Sequence, residues 1–239
     1  MYALYSRYLR HIVLPEFGLD TQDILIKSKI LCIGAGGLGS PALTYLAMLG
    51  VGTIDIIDYD FVEQSNLNRQ FLFNEKDIGK NKALCAKNFI TNLNTTITVN
   101  AYDIKLSYDN CFFFLKNYNV ILDCTDNLDV KFLISDCGIK LNIPVVHAGI
   151  FGFEGYISIF SKETYCYRCI YDKITSPQCI DYGVYGPIAG IIGIMQANET
   201  IKLLLNAYTL LKSHLFFFDL KNLTVKSIAI NKNSSCIIC

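Results

Sequence analysis

Tryptophan is absent from the 239 residues, and so is net charge, because 21 Lys and Arg offset 21 Asp and Glu. A chain with no surplus of either sign has no long-range field to steer it onto nucleic acid or an anionic membrane. A local basic pocket survives that exclusion. Histidine is scarce, and none of the three (His11, His147, His214) sits in a pattern that suggests a Ser-His-Asp triad. No apolar run is long enough to span a bilayer; the longest, Val184 to Ala197, is rich in glycine and reads as a buried helix. The start lacks the charged-then-apolar order and small-residue cleavage site of a signal peptide, so a cytoplasmic protein is expected. Internal repeats and flexible linkers are missing as well, which points to one structural unit with ample apolar material for a core.

Cysteine is what the chain has in excess. Six of its ten (Cys32, Cys85, Cys111, Cys124, Cys137, Cys179) are scattered singly, as free thiols in a reducing compartment often are. The other four form two CxxC pairs, Cys166/Cys169 and Cys236/Cys239. Paired cysteines in a reducing compartment are better explained by metal than by disulfides, and a four-thiolate zinc site fits best. Redox dithiols and an iron–sulfur cluster are the alternatives. A closed thiolate shell would be structural, tying the C-terminus to the middle of the chain.

Along the first 150 residues, short apolar runs alternate with helical periodicity. Lys29-Ile-Leu-Cys-Ile33, Thr53-Ile-Asp-Ile-Ile57, Thr96 to Ala101, Val120-Ile-Leu-Asp123 and Pro144-Val-Val-His-Ala148 read as strands. Helical patterns cover Leu38–Leu49, Lys80–Asn92, Asn110–Lys116 and Val130–Leu141. The expected class is α/β, a Rossmann-like and mostly parallel sheet with helices on both faces. Gly155–Phe160, Leu215–Asp219 and Thr224–Ile230 then add antiparallel strands around a long helix, Ile188–Leu205, and the cysteine clip. Three regions result: an N-terminal helical segment (1–28), a nucleotide-binding βα core (29–149), and a partner-binding, metal-clipped region (150–239).

Gly34-Ala-Gly-Gly-Leu-Gly39 lies between a strand and a helix, and Asp58 follows 19 positions beyond Gly39. Glycine permits a tight turn and close approach of phosphate, the helix N-terminus favours negative charge, and the acid suits ribose hydroxyls. This frame indicates an adenine nucleotide without naming it. NAD is the default, yet Asn66, Arg69, Gln70, Lys80 and Lys82 supply an arginine fork and lysine point charges suited to a polyphosphate and its pyrophosphate leaving group. Asp126, just past a strand end, could hold a magnesium ion there. Cys179, in a polar loop, is a candidate nucleophile.

These stretches carry a family resemblance. Together with Arg7-Tyr-Leu-Arg-His11, Ser65-Asn-Leu-Asn-Arg-Gln70, Asp77-Ile-Gly-Lys-Asn-Lys82, Asp123-Cys-Thr-Asp-Asn127, Gly183-Val-Tyr-Gly-Pro187 and Gln196-Ala-Asn-Glu-Thr-Ile-Lys202, they make the chain similar, over nearly its full length, to the ThiF/MoeB/HesA family. These are E1-like adenylyltransferases that activate ubiquitin-like sulfur-carrier proteins. The resemblance implies that Gly37 approaches the ATP phosphates and Asp58 the ribose. It implies that Asn66, Arg69 and Lys82 bind the triphosphate, with Asp126 on Mg2+ and Asn127 beside it in the cofactor site. Arg10 would reach across a homodimer into the partner's active site. Cys166, Cys169, Cys236 and Cys239 match structural Zn2+ ligands, and Cys179 matches a loop cysteine that forms a sulfur-linked conjugate in thiamine-pathway members. One departure is Lys131, which stands where the family usually has Arg and keeps the charge but loses the fork.

The implied reaction is attack of the carrier's C-terminal glycine carboxylate on the α-phosphorus of ATP. The partner would be a small carrier ending in Gly-Gly, with sulfur supplied by a separate persulfide donor. Gly152-Phe-Glu-Gly155 and Gly183-Val-Tyr-Gly-Pro187 lean towards a thiamine-type pathway. The molybdopterin-type branch shares every other motif and is the alternative. An NAD-dependent oxidoreductase is the alternative from another class.

Overall fold

The computed structural model describes residues 5–171 and 183–239. Its framework is one eight-stranded sheet in the order β3-β2-β1-β4-β5-β6-β7-β8. Five strands are parallel: β1 (Lys29–Ile33), β2 (Thr53–Ile57), β3 (Thr98–Tyr102), β4 (Val120–Asp123) and β5 (Val145–Phe151). From β5 onward the sheet turns antiparallel through β6 (Glu154–Phe160), β7 (His214–Asp219) and β8 (Thr224–Ala229).

The central strands are apolar on consecutive residues because both faces are covered. Ile30 and Cys32 of β1, Ile54 and Ile56 of β2, and Leu122 of β4 point to one side. There they meet α3 (Gly39–Met48), α4 (Lys82–Leu93) and the long α8 (Gly186–Leu204). Their alternates, Leu31, Ile33, Ile57 and Ile121, point to the other. That side is closed by α5 (Cys111–Leu115) and α6 (Leu128–Leu141), with Tyr165 and Tyr167 filling the gap toward the cysteine clip. The molecule is therefore a three-layer α/β/α sandwich with an antiparallel extension, as the sequence pattern predicts.

Two shorter helices complete the set near the N-terminus, the single turn α1 (Leu9–Ile12) and α2 (Gly18–Lys27), and α7 (Tyr167–Ile170) is one turn inside the first CxxC. Pro187 opens α8, where a missing backbone N–H costs nothing. Among the described residues no helix is long and apolar enough to cross a membrane.

Candidate active site

Strand order reverses between β1 and β4, and the loops leaving their C-terminal ends meet there. Gly34 has φ +94°, and a Cβ on it would lie 2.6 Å from the Cys124 carbonyl oxygen. A Cβ on Gly39 would collide with the Gly34 carbonyl. Only glycine allows the β1 loop to fold this tightly against the β4 loop. Gly37 faces the stem of Arg69, whose Cδ would sit 3.6 Å from an added Cβ.

Asp58, at the end of β2, is buried and accepts hydrogen bonds from the backbone N–H groups of Ala35 (2.8 Å) and Asp60 (2.9 Å). Burial pushes its carboxyl above the usual range, and those two donors pull it back. Asn81 caps α4 and donates to the carbonyls of Asp58 (3.0 Å) and Asp60 (3.3 Å), so the helix that begins with Lys82 is fastened to the strand that ends with Asp58. Lys82 is mostly buried and holds Asp60 at 3.2 Å.

An open cleft of about 480 Å³ lies beside this junction, and Asn66, Arg69, Lys82 and Asp126 all line it. Asn66 is fixed by a reciprocal cap with Glu63. Arg69 places one guanidinium nitrogen, Nη1, on the Ser65 carbonyl (3.0 Å) and the Asn68 side chain (2.9 Å). Its Nη2 and Nε have no partner among the described residues. Gln70 also lines the cleft, and its buried Oε1 has no hydrogen-bond partner among the described residues. The structure thus gathers two cations, the exposed carboxylates of Asp60, Glu63 and Asp126, and unpaired amide and guanidinium groups at the C-terminal sheet edge. That donor set suits a polyphosphate with its metal ion.

Four expected site residues stand apart, the first being Lys80, which is exposed, pairs with Asp77 at 3.2 Å and does not line the cleft. Arg10 is exposed on α1, outside the cleft lining, and makes no hydrogen bond or ion pair among the described residues. Asn127 is the cap of α6 and accepts the Val130 N–H at 3.1 Å. Cys179 lies outside the described residues.

The sequence reading missed a buried cluster at the root of the Asp126 loop. Asp123, at the end of β4, takes Lys131 from α6 on both oxygens (3.4 and 3.3 Å) and His147 Nδ1 from β5 at 2.7 Å. Lys131 also donates to the Ala148 carbonyl at 2.6 Å. Burial works against the Asp123 charge, but Lys131 and His147 hold its carboxyl well below the ordinary range. Burial, reinforced by Lys131, keeps His147 neutral with a pKa of about 4. Lys131 therefore compensates an internal charge and does not face the triphosphate cleft. His147, assigned no role from sequence, is a wholly buried partner of Asp123 whose Nε2 has no hydrogen-bond partner among the described residues.

The cysteine clip assembles as expected. Neighbouring Sγ atoms lie 3.3 Å (Cys169–Cys239), 3.5 Å (Cys166–Cys236) and 3.9 Å (Cys166–Cys169) apart, and all four lie within 4.8 Å of one another. A tetrahedral ion with metal–sulfur bonds of about 2.3 Å separates its thiolates by about 3.8 Å. This spacing fits one such ion, and it exceeds the roughly 2.05 Å of a disulfide. Burial pushes Cys166 up, whereas the N–H groups of Cys239 and Ile238 outweigh burial at Cys236 and hold it at about 7. Arg168, inside the first pair, forks onto Asp136 of α6 at 2.8 to 3.0 Å.

The residues from 8 to 238 match the pattern of the ThiF family. The chain belongs to the ThiF family. It is 33% identical, over 98% of its own length and 90% of the relative's, to a sulfur carrier protein adenylyltransferase of Thermus thermophilus. It is 37% identical to the adenylyltransferase and sulfurtransferase MOCS3 of Culex quinquefasciatus, over 98% of this chain and 55% of that one. Among solved structures, Escherichia coli MccB, crystallised with AMPCPP and selenomethionine MccA, superimposes with a TM-score of 0.86. That match covers 98% of this chain and 74% of MccB at 23% identity, and it bears on the fold alone. Membership of the ThiF family withdraws support from the NAD-dependent alternative, which rested on the glycine loop by itself.

Proposed function

We propose that this protein uses ATP to adenylate the C-terminal carboxylate of a ubiquitin-like sulfur-carrier protein, releasing pyrophosphate, as one step of a sulfur relay. The observation that carries this reading is the convergence of Asn66, Arg69, Lys82 and Asp126 on one cleft beside the glycine loop. Full-length similarity to a sulfur carrier protein adenylyltransferase supports it. The thiamine-type lean is withdrawn: the relatives' names speak of sulfur carriers and sulfur transfer without that pathway, and the molybdopterin-type alternative is the better fit.

A carboxylate is already ionised at neutral pH, so the reaction needs no strong general base. The protein's work is alignment and neutralisation of charge. Gly34 to Gly39 leave the backbone bare for phosphate, and Asp58 receives the ribose. Asn66, the free arm of the Arg69 guanidinium and Lys82 hold the β- and γ-phosphates as they depart, with Lys82 exchanging Asp60 for phosphate. Asp126 would hold Mg2+, which supplies charge neutralisation between the phosphates. Arg10, exposed and unengaged, would act in the active site of a second copy in a homodimer. Zn2+ suits the four soft thiolates of the clip and leaves them no open position, so its part is structural.

The test is ATP–pyrophosphate exchange with the purified, zinc-loaded protein and a molybdopterin-type or a thiamine-type carrier ending in Gly-Gly. Exchange that needs the carrier and disappears when its Gly-Gly is removed is the expected result. No exchange with either carrier would overturn the assignment.

A further inference from the structure

We propose that Thr125 is a positioning residue that fixes the direction in which the loop after β4 presents Asp126 to the metal–nucleotide complex. The inference rests on the adenylation reading above. Asp126 itself is exposed, and its side chain has no hydrogen bond or ion pair among the described residues. The residue before it is held twice by one carboxylate oxygen. Asp123 Oδ1 accepts from the Thr125 backbone N–H at 3.1 Å and from its hydroxyl at 2.7 Å. Such a local side-chain loop restricts the backbone where it leaves the strand.

What makes this hold stiff is the burial of Asp123. Its other contacts come from two further elements, Lys131 on α6 and His147 on β5, and its own carbonyl accepts from Gln196 of α8 at 2.9 Å. Two further elements therefore fix the carboxylate and a third fixes the backbone that carries it, and the carboxylate fixes Thr125. On the far side of Asp126, Asn127 caps α6, and Cys124 is pinned by its N–H to the Ile33 carbonyl at 2.9 Å. Asp126 is thus the one residue of the four-residue segment 124–127 whose own groups are not tied down among the described residues. A carboxylate that would hold a metal ion gains from such preorganisation, since a displacement of about 1 Å can cost about 100-fold in rate.

The hydroxyl can be removed almost isosterically, which makes the inference testable with Lys131 and His147 still in place on Asp123. Thr125→Val should lower carrier-dependent pyrophosphate exchange by about 10- to 100-fold. Thr125→Ser, which keeps the hydroxyl, should return to within about twofold of the unaltered protein. The second readout is binding: Mn2+ is titrated by electron paramagnetic resonance into protein saturated with α,β-methylene-ATP, and Thr125→Val should raise its Kd roughly tenfold. Should the valine methyl disturb folding, Thr125→Ala makes the same deletion. Unaltered exchange and Mn2+ affinity in the hydroxyl-less variants would overturn the proposal, as would a serine variant as impaired as the valine one. Those outcomes leave adenylation standing. Absence of exchange in the unaltered protein would remove both.

Discussion

Lys82 and Arg69 differ in what holds them, and the difference sets what their loss should do. Lys82 is mostly buried and ion-paired with the half-exposed Asp60, so its ammonium is already positioned before any ligand arrives. Arg69 keeps part of its fork free beside Gly37. Replacing either by alanine should lower carrier-dependent exchange by about 10² to 10³-fold with little change in melting temperature, because on the proposed reading each removes charge that would face the leaving pyrophosphate. Arg69→Lys should recover only part, since a point charge does not reproduce a fork; steady-state exchange kinetics on the three variants decide this. His147 makes a prediction of another kind. Its neutral form is favoured in the fold, with a pKa of about 4 against an ordinary 6.5, so the unfolded chain binds the proton first. The stability this confers is complete above pH 6.5 and is lost as pH falls from there towards 4, by on the order of 3 kcal/mol for this one group. Urea unfolding of the protein and of His147→Asn across that range should show a steeper decline for the unaltered chain. A His147→Asn curve with the same slope would remove His147 as the cause.

At the scale of elements, the β1 loop and the β4 loop are one device. Gly34 occupies a left-handed conformation with the Cys124 carbonyl packed where its side chain would be. Gly34→Ala should therefore cost about 1 to 3 kcal/mol in strain, and more if the β4 loop is displaced. ATP binding, measured by isothermal titration, should fall more sharply than the melting temperature, because the displaced segment carries Asp126. The strands were legible because β1, β2 and β4 bury consecutive residues on two faces and are rich in β-branched side chains. The glycine loop was legible because its neighbours in sequence are also its neighbours in space. The Asp123 cluster was not. Its members come from β4, α6 and β5, and nothing local to Lys131 or His147 announces the partner. The one available signal was chemical: Lys131 sits in an otherwise apolar stretch of α6, and a buried lysine requires a buried acid. Arg10 was reachable only through the family resemblance, since the group it would serve lies outside its own chain.

Across the whole molecule, the sheet changes character at β5, and the two halves are secured differently. The parallel half is sandwiched between helices, whereas β8 is an exposed edge strand that pairs only with β7. The chain leaving β8 ends in Cys236 and Cys239, and these meet Cys166 and Cys169, which follow β6. The first pair is in turn fastened to α6, through the Arg168–Asp136 fork and through the Tyr167 N–H on the Ser135 hydroxyl at 3.0 Å. A metal ion at the clip thus closes a loop of chain that begins beside β6, runs through α8, β7 and β8, and returns to the helix carrying Lys131. Closing so long a loop restricts the unfolded chain as well as the folded one, by the same argument that applies to a disulfide. Stripping the ion with a chelator should release one equivalent of zinc per chain. It should also lower the melting temperature by about 5 to 15 °C, taking 1 kcal/mol as roughly 2 to 4 °C at this size. The Cys236→Ser, Cys239→Ser double variant should melt with the stripped protein and should no longer respond to the chelator. The cleft residues come from segments outside the clip, so the stripped protein below its melting point should still bind ATP. A stripped protein that melts with the loaded one would mean that the packing of Tyr165, Tyr167 and Arg168 holds the C-terminal strands without the metal.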